Sequence, residues 1–180
     1  MDEKPDLVVS GINHGQNTSI NIIYSGTVSA ATEGMLLGIP SIAVSVASHS
    51  LKADCSAAAK YANLITKKVL KTGLPEGTLL NVNVPALPQN EIKGIKVTRM
   101  SNSIWLDKYE RRTDPFGRDY FWFSGDYKTY DDDINTDDAA LKAGFVSITP
   151  IQFNFTYNNS SFINTLKSYE SLGRNSKKKM

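Results

Sequence analysis

Cysteine is nearly absent from this chain. Cys55 stands alone among 180 residues, which excludes an intrachain disulfide. Histidine is almost as scarce: His14 and His49 are the two present, and neither lies in a motif that would serve a catalytic thiol. Cys55 therefore reads as a small packed residue in a reducing compartment. An excess of one charge is also missing. Twenty Lys and Arg against 18 Asp and Glu leave a net charge of +2, so composition offers no argument for a nucleic-acid polymer or a membrane as partner. The one local concentration, Lys177 to Lys179, reads as a solvated tail. No apolar run approaches the roughly 20 residues of a membrane helix, and no charged-then-apolar leader opens the sequence. The cytoplasm is the expected compartment. What is present is ordinary: 41% apolar and 21% charged residues, in a length that suits one domain.

The pattern of elements alternates. Leu7 to Val9 reads as a buried parallel strand, being continuously apolar and β-branched. Gly26 to Leu37 carries one apolar stripe and reads as a helix, stopped by Gly38-Ile39-Pro40. Ser41 to Ala47 is the next strand. Asp54 to Leu70 is the longest predicted helix, with Asp54 as its N-cap, lysines in its last turns and Gly73 at its end. Thr78 to Val84, Gly94 to Thr98 and Phe145 to Pro150 are further strands, and Phe153 to Thr156 alternates weakly. Strands interleaved with helices predict an α/β fold, a mainly parallel sheet flanked by helices. Ser101 to Asp138 differs in being polar, aromatic and rich in turns. Asp114-Pro115-Phe116-Gly117 is a turn between Ile104-Trp105-Leu106 and Tyr120 to Phe123, which predicts a protruding β-hairpin arm. Asn158 to Leu172 is predicted as a terminal helix with Phe162, Leu166 and Tyr169 on its apolar face, and 174–180 as a frayed end. The expected division of 1–180 is a sheet core (1–100 and 144–150), an arm (101–143) and a C-terminal segment with its helix (151–180).

One stretch carries chemistry. The strand Leu7 to Val9 runs into Ser10-Gly11-Ile12-Asn13-His14-Gly15-Gln16-Asn17, and Tyr24-Ser25-Gly26-Thr27 then opens a helix. Ligands in open α/β sheets bind at the carboxyl ends of strands, and free N–H groups at a helix start hold phosphate oxygens. Asn13 is either a turn former or, through its amide oxygen, a ligand for a hard cation such as Mg²⁺ or Mn²⁺. Ser25 is either an N-cap or, with Asn17, Gly26 and Thr27, part of a phosphate cradle. Within the helix, Gly34 reads as a close-packing position and Glu33 as a candidate buried partner for the loop. Asp131-Asp132-Asp133 reads as a solvated turn, and Asp137 as a structural hydrogen-bonding residue.

These words also resemble a known family. V-V-S-G-I-N-x-G-x-N followed by Y-S-G-T-V-x-A-A-x-E-G is similar to the signature of the SurE family, metal-dependent 5'/3'-nucleotidases. Leu80 to Pro85 (L-N-V-N-V-P), Ile92 to Arg99, Asp114 to Gly117, Thr136-Asp137 and Gly144 to Pro150 fit in collinear order. The resemblance implies a Rossmann-like three-layer fold and hydrolysis of nucleoside monophosphates. It makes Asn13 a ligand of the divalent cation and gives Asn17, Ser25, Gly26 and Thr27 to phosphate or substrate. The arm is expected to reach a neighbouring subunit in a homodimer or homotetramer. One departure stands out: members of the family begin with a strand ending in N-D-D-G, whose aspartates bind metal, and a later serine adds a ligand. No N-D-D-G occurs here, so the resemblance implies a C-terminal portion with no catalytic residue of its own. The alternative function is a non-catalytic remnant that oligomerises or binds phosphate weakly.

Overall fold

β-Branched side chains dominate the sheet strands, and the chain builds its core from them. In the computed structural model, which describes residues 3–131 and 133–172, five strands form one mixed sheet. They are β1 (Val8–His14), β2 (Ser41–Val46), β3 (Thr78–Val84), β4 (Ile95–Val97) and β7 (Val146–Gln152), in the order β1-β2-β3-β7-β4. Neighbours run parallel except β3 with β7. Every residue of β2 is buried, as expected for a strand covered on both faces.

Alternation along β2 sorts the two faces. Ile42, Val44 and Val46 join Val82, Val84 and Val146 under the helix α2 (Ser56–Thr72), which contributes Ala58, Ile65 and Val69. Ala43 instead meets α1 (Gly26–Leu36), through Val28, Ala31 and Met35. Each fully buried branched side chain contributes roughly 1.5–3 kcal/mol. Gly34 lets α1 approach: a Cβ there would lie 2.5 Å from Ser41 Oγ and 2.7 Å from a Val8 methyl. The sheet with a helix on each face is the expected three-layer arrangement.

Several local expectations shift. The first strand continues past Val9 to His14. Helix α2 starts two residues late: Asp54 Oδ1 accepts from the Ser56 N–H at 2.8 Å, and Cys55 occupies the N-cap position. Glu33 is solvent-exposed, so it is not a buried partner for the loop. A short helix α3 (Asp137–Lys142), capped by Thr136, lies inside the stretch read as arm and packs on β7. The terminal helix α4 (Ser160–Lys167), capped by Asn159, is shorter than expected and buries none of its residues; a 3₁₀ turn, Ser168–Ser171, follows. The expected lysine-tipped fray at 174–180 lies outside the described residues.

The arm is a two-stranded antiparallel ribbon, β5 (Ser103–Thr113) with β6 (Asp119–Thr129). Trp105, Tyr109, Phe116, Phe121, Trp122 and Phe123 on it are exposed. It is therefore not folded back on the sheet. Its foot is closed by Arg99, which pairs with Asp131 at 2.6 Å and Asp133 at 3.1 Å. These two members of the acidic run are thus paired rather than simply solvated, and Arg99 pulls the Asp131 carboxyl down to about 2.

Candidate functional site

The site is organised by an extra residue in β1. Ser10 pairs with Ala43 and Asn13 with Ser45, so three steps on β1 match two on β2. Such a bulge re-aims the side chain that follows it. Gly11 makes it possible: its φ is +126°, and a Cβ there would sit 2.3 Å from the Val44 carbonyl oxygen. Asn13 follows directly. Its Nδ2 donates to the carbonyls of His14 (3.1 Å) and Gly15 (2.7 Å). Both partners are pure acceptors, so the amide orientation is determined and Oδ1 is the atom left free.

Asn17 is placed differently. It is buried, and its Nδ2 donates to Ser45 Oγ at 2.8 Å. Its backbone N–H donates to Asn83 Oδ1, and its carbonyl accepts from Asn81 Nδ2 and Asn83 Nδ2. The two asparagines of β3 thus hold the loop after β1 by its backbone. A buried amide satisfied in this way is strongly held, because losing a partner would leave polar groups without water. Asn81, Asn83 and Ser45 are the supporting residues that sequence reasoning did not single out. Their signal was available: polar residues set inside otherwise apolar strands.

Ser25 is the N-cap of α1, its Oγ accepting from the Val28 N–H at 3.1 Å. The hydroxyl proton remains free to donate. Gly26 is exposed and Thr27 partly so, and the first N–H groups of a helix have no intrahelical acceptor. Strands β1 and β2 are parallel and α1 joins them, so α1 begins at the end of the sheet where β1 finishes. Asn13 and the Ser25–Thr27 turn therefore share the carboxyl-end side of the sheet, where α/β ligands bind.

Beside this side lies a buried network at the foot of the arm. Asp137 accepts from the N–H groups of Ser19 (2.9 Å) and Ser101 (2.9 Å). Asp138 Oδ2 accepts from Ser101 Oγ, Ser103 Oγ and Tyr127 Oη at 2.6–2.8 Å. Burial pushes the Asp137 carboxyl up. Burial acts the same way on Asp138, but the surrounding hydroxyls outweigh it and hold it below its ordinary value. The Tyr127 hydroxyl is raised, first by burial and then by the Asp138 carboxylate. The network ties the loop after β1 to the arm.

A divalent cation fits this chain only in part. Asn13 Oδ1 is free, but among the described residues no group of three or more Asp, Glu, His or Cys is arranged to hold a metal. Hard cations of this type are held through carboxylates as well as neutral oxygens. Calorimetric titration of this chain with Mn²⁺ is accordingly expected to show no tight stoichiometric binding. A tight site would mean that other carboxylates of the chain complete it.

The sequence model of the family described as "Survival protein SurE" matches residues 1–107. A protein of Christiangramia forsetii named 5'-nucleotidase SurE is 50% identical over 169 residues, covering 94% of this chain and 64% of the relative. Another of that name from Symbiobacterium thermophilum is 49% identical over 156 residues, covering 87% and 60%. The chain thus spans under two thirds of the length of these relatives. The crystal structure of the SurE protein from Aquifex aeolicus superposes with a TM-score of 0.79 at 42% identity, covering 94% of this chain and 67% of that one. With the matched family signature lying on the bulged strand and the helix start just described, the chain belongs to the SurE family.

Proposed function

We propose that this chain is the nucleotide-handling part of a divalent-metal-dependent 5'/3'-nucleotidase, which hydrolyses nucleoside monophosphates to nucleoside and phosphate. The observation that carries this reading is Asn13, whose amide is locked with Oδ1 free at the carboxyl end of β1, at the same end of the sheet as the start of α1 with its free N–H groups. Asn13 supplies one oxygen ligand to Mg²⁺ or Mn²⁺. The Ser25 hydroxyl and the N–H groups of Gly26 and Thr27 hold phosphoryl oxygens and stabilise the charge that develops on them. Asn17 serves the phosphate indirectly, because its amide is committed to Ser45; it holds the loop in shape. The remaining metal ligands are carboxylates outside the set gathered here. Phosphate release from several nucleoside monophosphates, followed with and without a chelator, tests the reading in the protein carrying a SurE-type amino-terminal segment. Release that ignores the chelator overturns the metal dependence, and no release overturns the nucleotidase.

The arm supports a second element of the proposal, assembly into a homodimer or homotetramer. An isolated two-stranded ribbon is marginally stable in water, and exposed Trp, Tyr and Phe are the side chains that anchor interfaces. Lys108 and Ser124 are paired across the ribbon. Joining them by Asn-Gly in place of 109–123 removes the tip and leaves the foot. Light scattering is expected to show a shift toward monomer. An intact chain that is already monomeric at micromolar concentration overturns the interface.

A further inference from the structure

Ser19 is, among the described residues, the one non-glycine residue with a positive φ, +53°. Left-handed backbone is sterically costly for a residue with a Cβ, and it persists where the surroundings hold it. Here they hold it at every polar atom but the carbonyl. The Ser19 N–H donates to Asp137 Oδ2 at 2.9 Å. Its Oγ lies 2.8 Å and 2.6 Å from the carbonyl oxygens of Ser101 and Ser103, donating to one or the other, and accepts from the Ser103 N–H at 2.9 Å. Ser19 and Asp137 are both buried, at 1% and 0% exposure. Ser19 opens the 3₁₀ turn Ser19–Tyr24, which runs directly into Ser25. The Ser25 N–H donates back to the Ile22 carbonyl at 3.3 Å, so cap and turn move together. Packing of Val28, Ala31 and Met35 fixes the body of α1; the turn fixes how the chain enters it. Upstream, Asn81 and Asn83 hold the backbone of Asn17. Between that clamp and the cap, the direction of the chain is set at Thr18 and Ser19.

We propose that Asp137 is a positioning residue of the phosphate cradle, latching, through the backbone of Ser19, the turn that presents Ser25, Gly26 and Thr27. The inference rests on the nucleotidase reading and adds to it a residue that acts without touching the substrate. A carboxylate suits the task. Oδ1 accepts from the N–H groups of Ser101 and Asp138, both at 2.9 Å, and Oδ2 from that of Ser19. All three partners are donors, so only a side chain that accepts at both ends serves them together. Asparagine at 137 has the same shape but donates at one end. With its oxygen on Ser101 and Asp138, its NH₂ faces the Ser19 N–H, donor against donor, and the turn is released.

Amide resonances of the intact chain, recorded through a titration with inorganic phosphate, test this. Asp137→Asn is expected to move the resonances of Ser25, Gly26 and Thr27 and to leave those of Val44 and Val82 in place. It is expected to weaken phosphate on the order of tenfold, the effect of one lost hydrogen bond to a charged group. Asp131→Asn, which alters the ion pair with Arg99 at the foot of the arm, is expected to do neither. Resonances of 25–27 that stay in place in Asp137→Asn, or that move without loss of the wild type's phosphate affinity, overturn the proposal. So does an equal effect of Asp131→Asn, or a disturbance that reaches Val44 and Val82, since Asp137 then supports the fold at large. The wild-type Ser19 N–H is also expected to resist hydrogen exchange; exchange at the unprotected rate overturns the latch even where the variant fails to fold. A wild type that does not respond to phosphate, with 25–27 still displaced in Asp137→Asn, upholds the latch and removes the cradle.

Discussion

Asn13→Ala is expected to lower the rate of phosphate release on the order of 10²-fold, the size typical of losing one preorganised contact made in the transition state. The assay uses the protein in which this chain carries a SurE-type amino-terminal segment. The reason is local. The Asn13 amide is clamped by two carbonyls of its own loop, so Oδ1 is preorganised and needs no reorientation when a cation binds. Alanine removes that oxygen along with two hydrogen bonds worth about 1 kcal/mol each, too little to unfold the sheet. A melting curve recorded beside the assay separates the two effects: a modest shift in midpoint with a large loss of rate is the expected pair. Full activity in the variant removes Asn13 from the site.

Gly11→Ala is expected to cost more than about 2 kcal/mol of stability, combining a strained φ with a backbone clash. A Cβ at Gly11 would press on the Val44 carbonyl oxygen at 2.3 Å. Neither strand can yield easily, since Val44 is fully buried against α2. Urea unfolding measures the loss. Gly26→Ala is the control: its Cβ meets nothing within 4 Å, and alanine at a helix start with permissive φ is close to neutral. An unchanged midpoint in Gly11→Ala would mean that the bulge is not what the glycine serves.

Much of this site was legible because its signals are local. Ser25, Gly26 and the stripe Val28, Ala31, Met35 specify a helix and its start within a dozen residues. Arm residues announce a hairpin through a Pro-Phe-Gly turn between β-favouring runs. The short helix α3 was hidden by the polar character of its surroundings: its first turn is Asp137-Asp138, two carboxylates that are buried only because Ser19, Ser101, Ser103 and Tyr127 come to meet them. Amphipathic spacing gives α4 and the turn after it an apolar face, Phe162, Leu166 and Tyr169. Spacing alone carries no information on whether a partner surface exists, and in the described residues α4 buries none of its own side chains fully.

By itself the sequence determined the alternation of strands and helices, the capped start of α1, the hairpin, and, through its collinear words, membership of the SurE family. Each of these follows from neighbours along the chain or from matched words. Tertiary structure alone decided which atom of Asn13 is left without a hydrogen-bond partner and what Asn17 does. The first depends on a register shift between β1 and β2 that no periodicity records. The second depends on Asn81 and Asn83, which lie 64 and 66 residues away and reach the loop only once β3 has joined the sheet. Ser19 and Asp137, 118 residues apart, are joined for the same reason. Contacts of that separation are made by the fold as a whole, so the residues that support a site are visible only after the chain has closed around it.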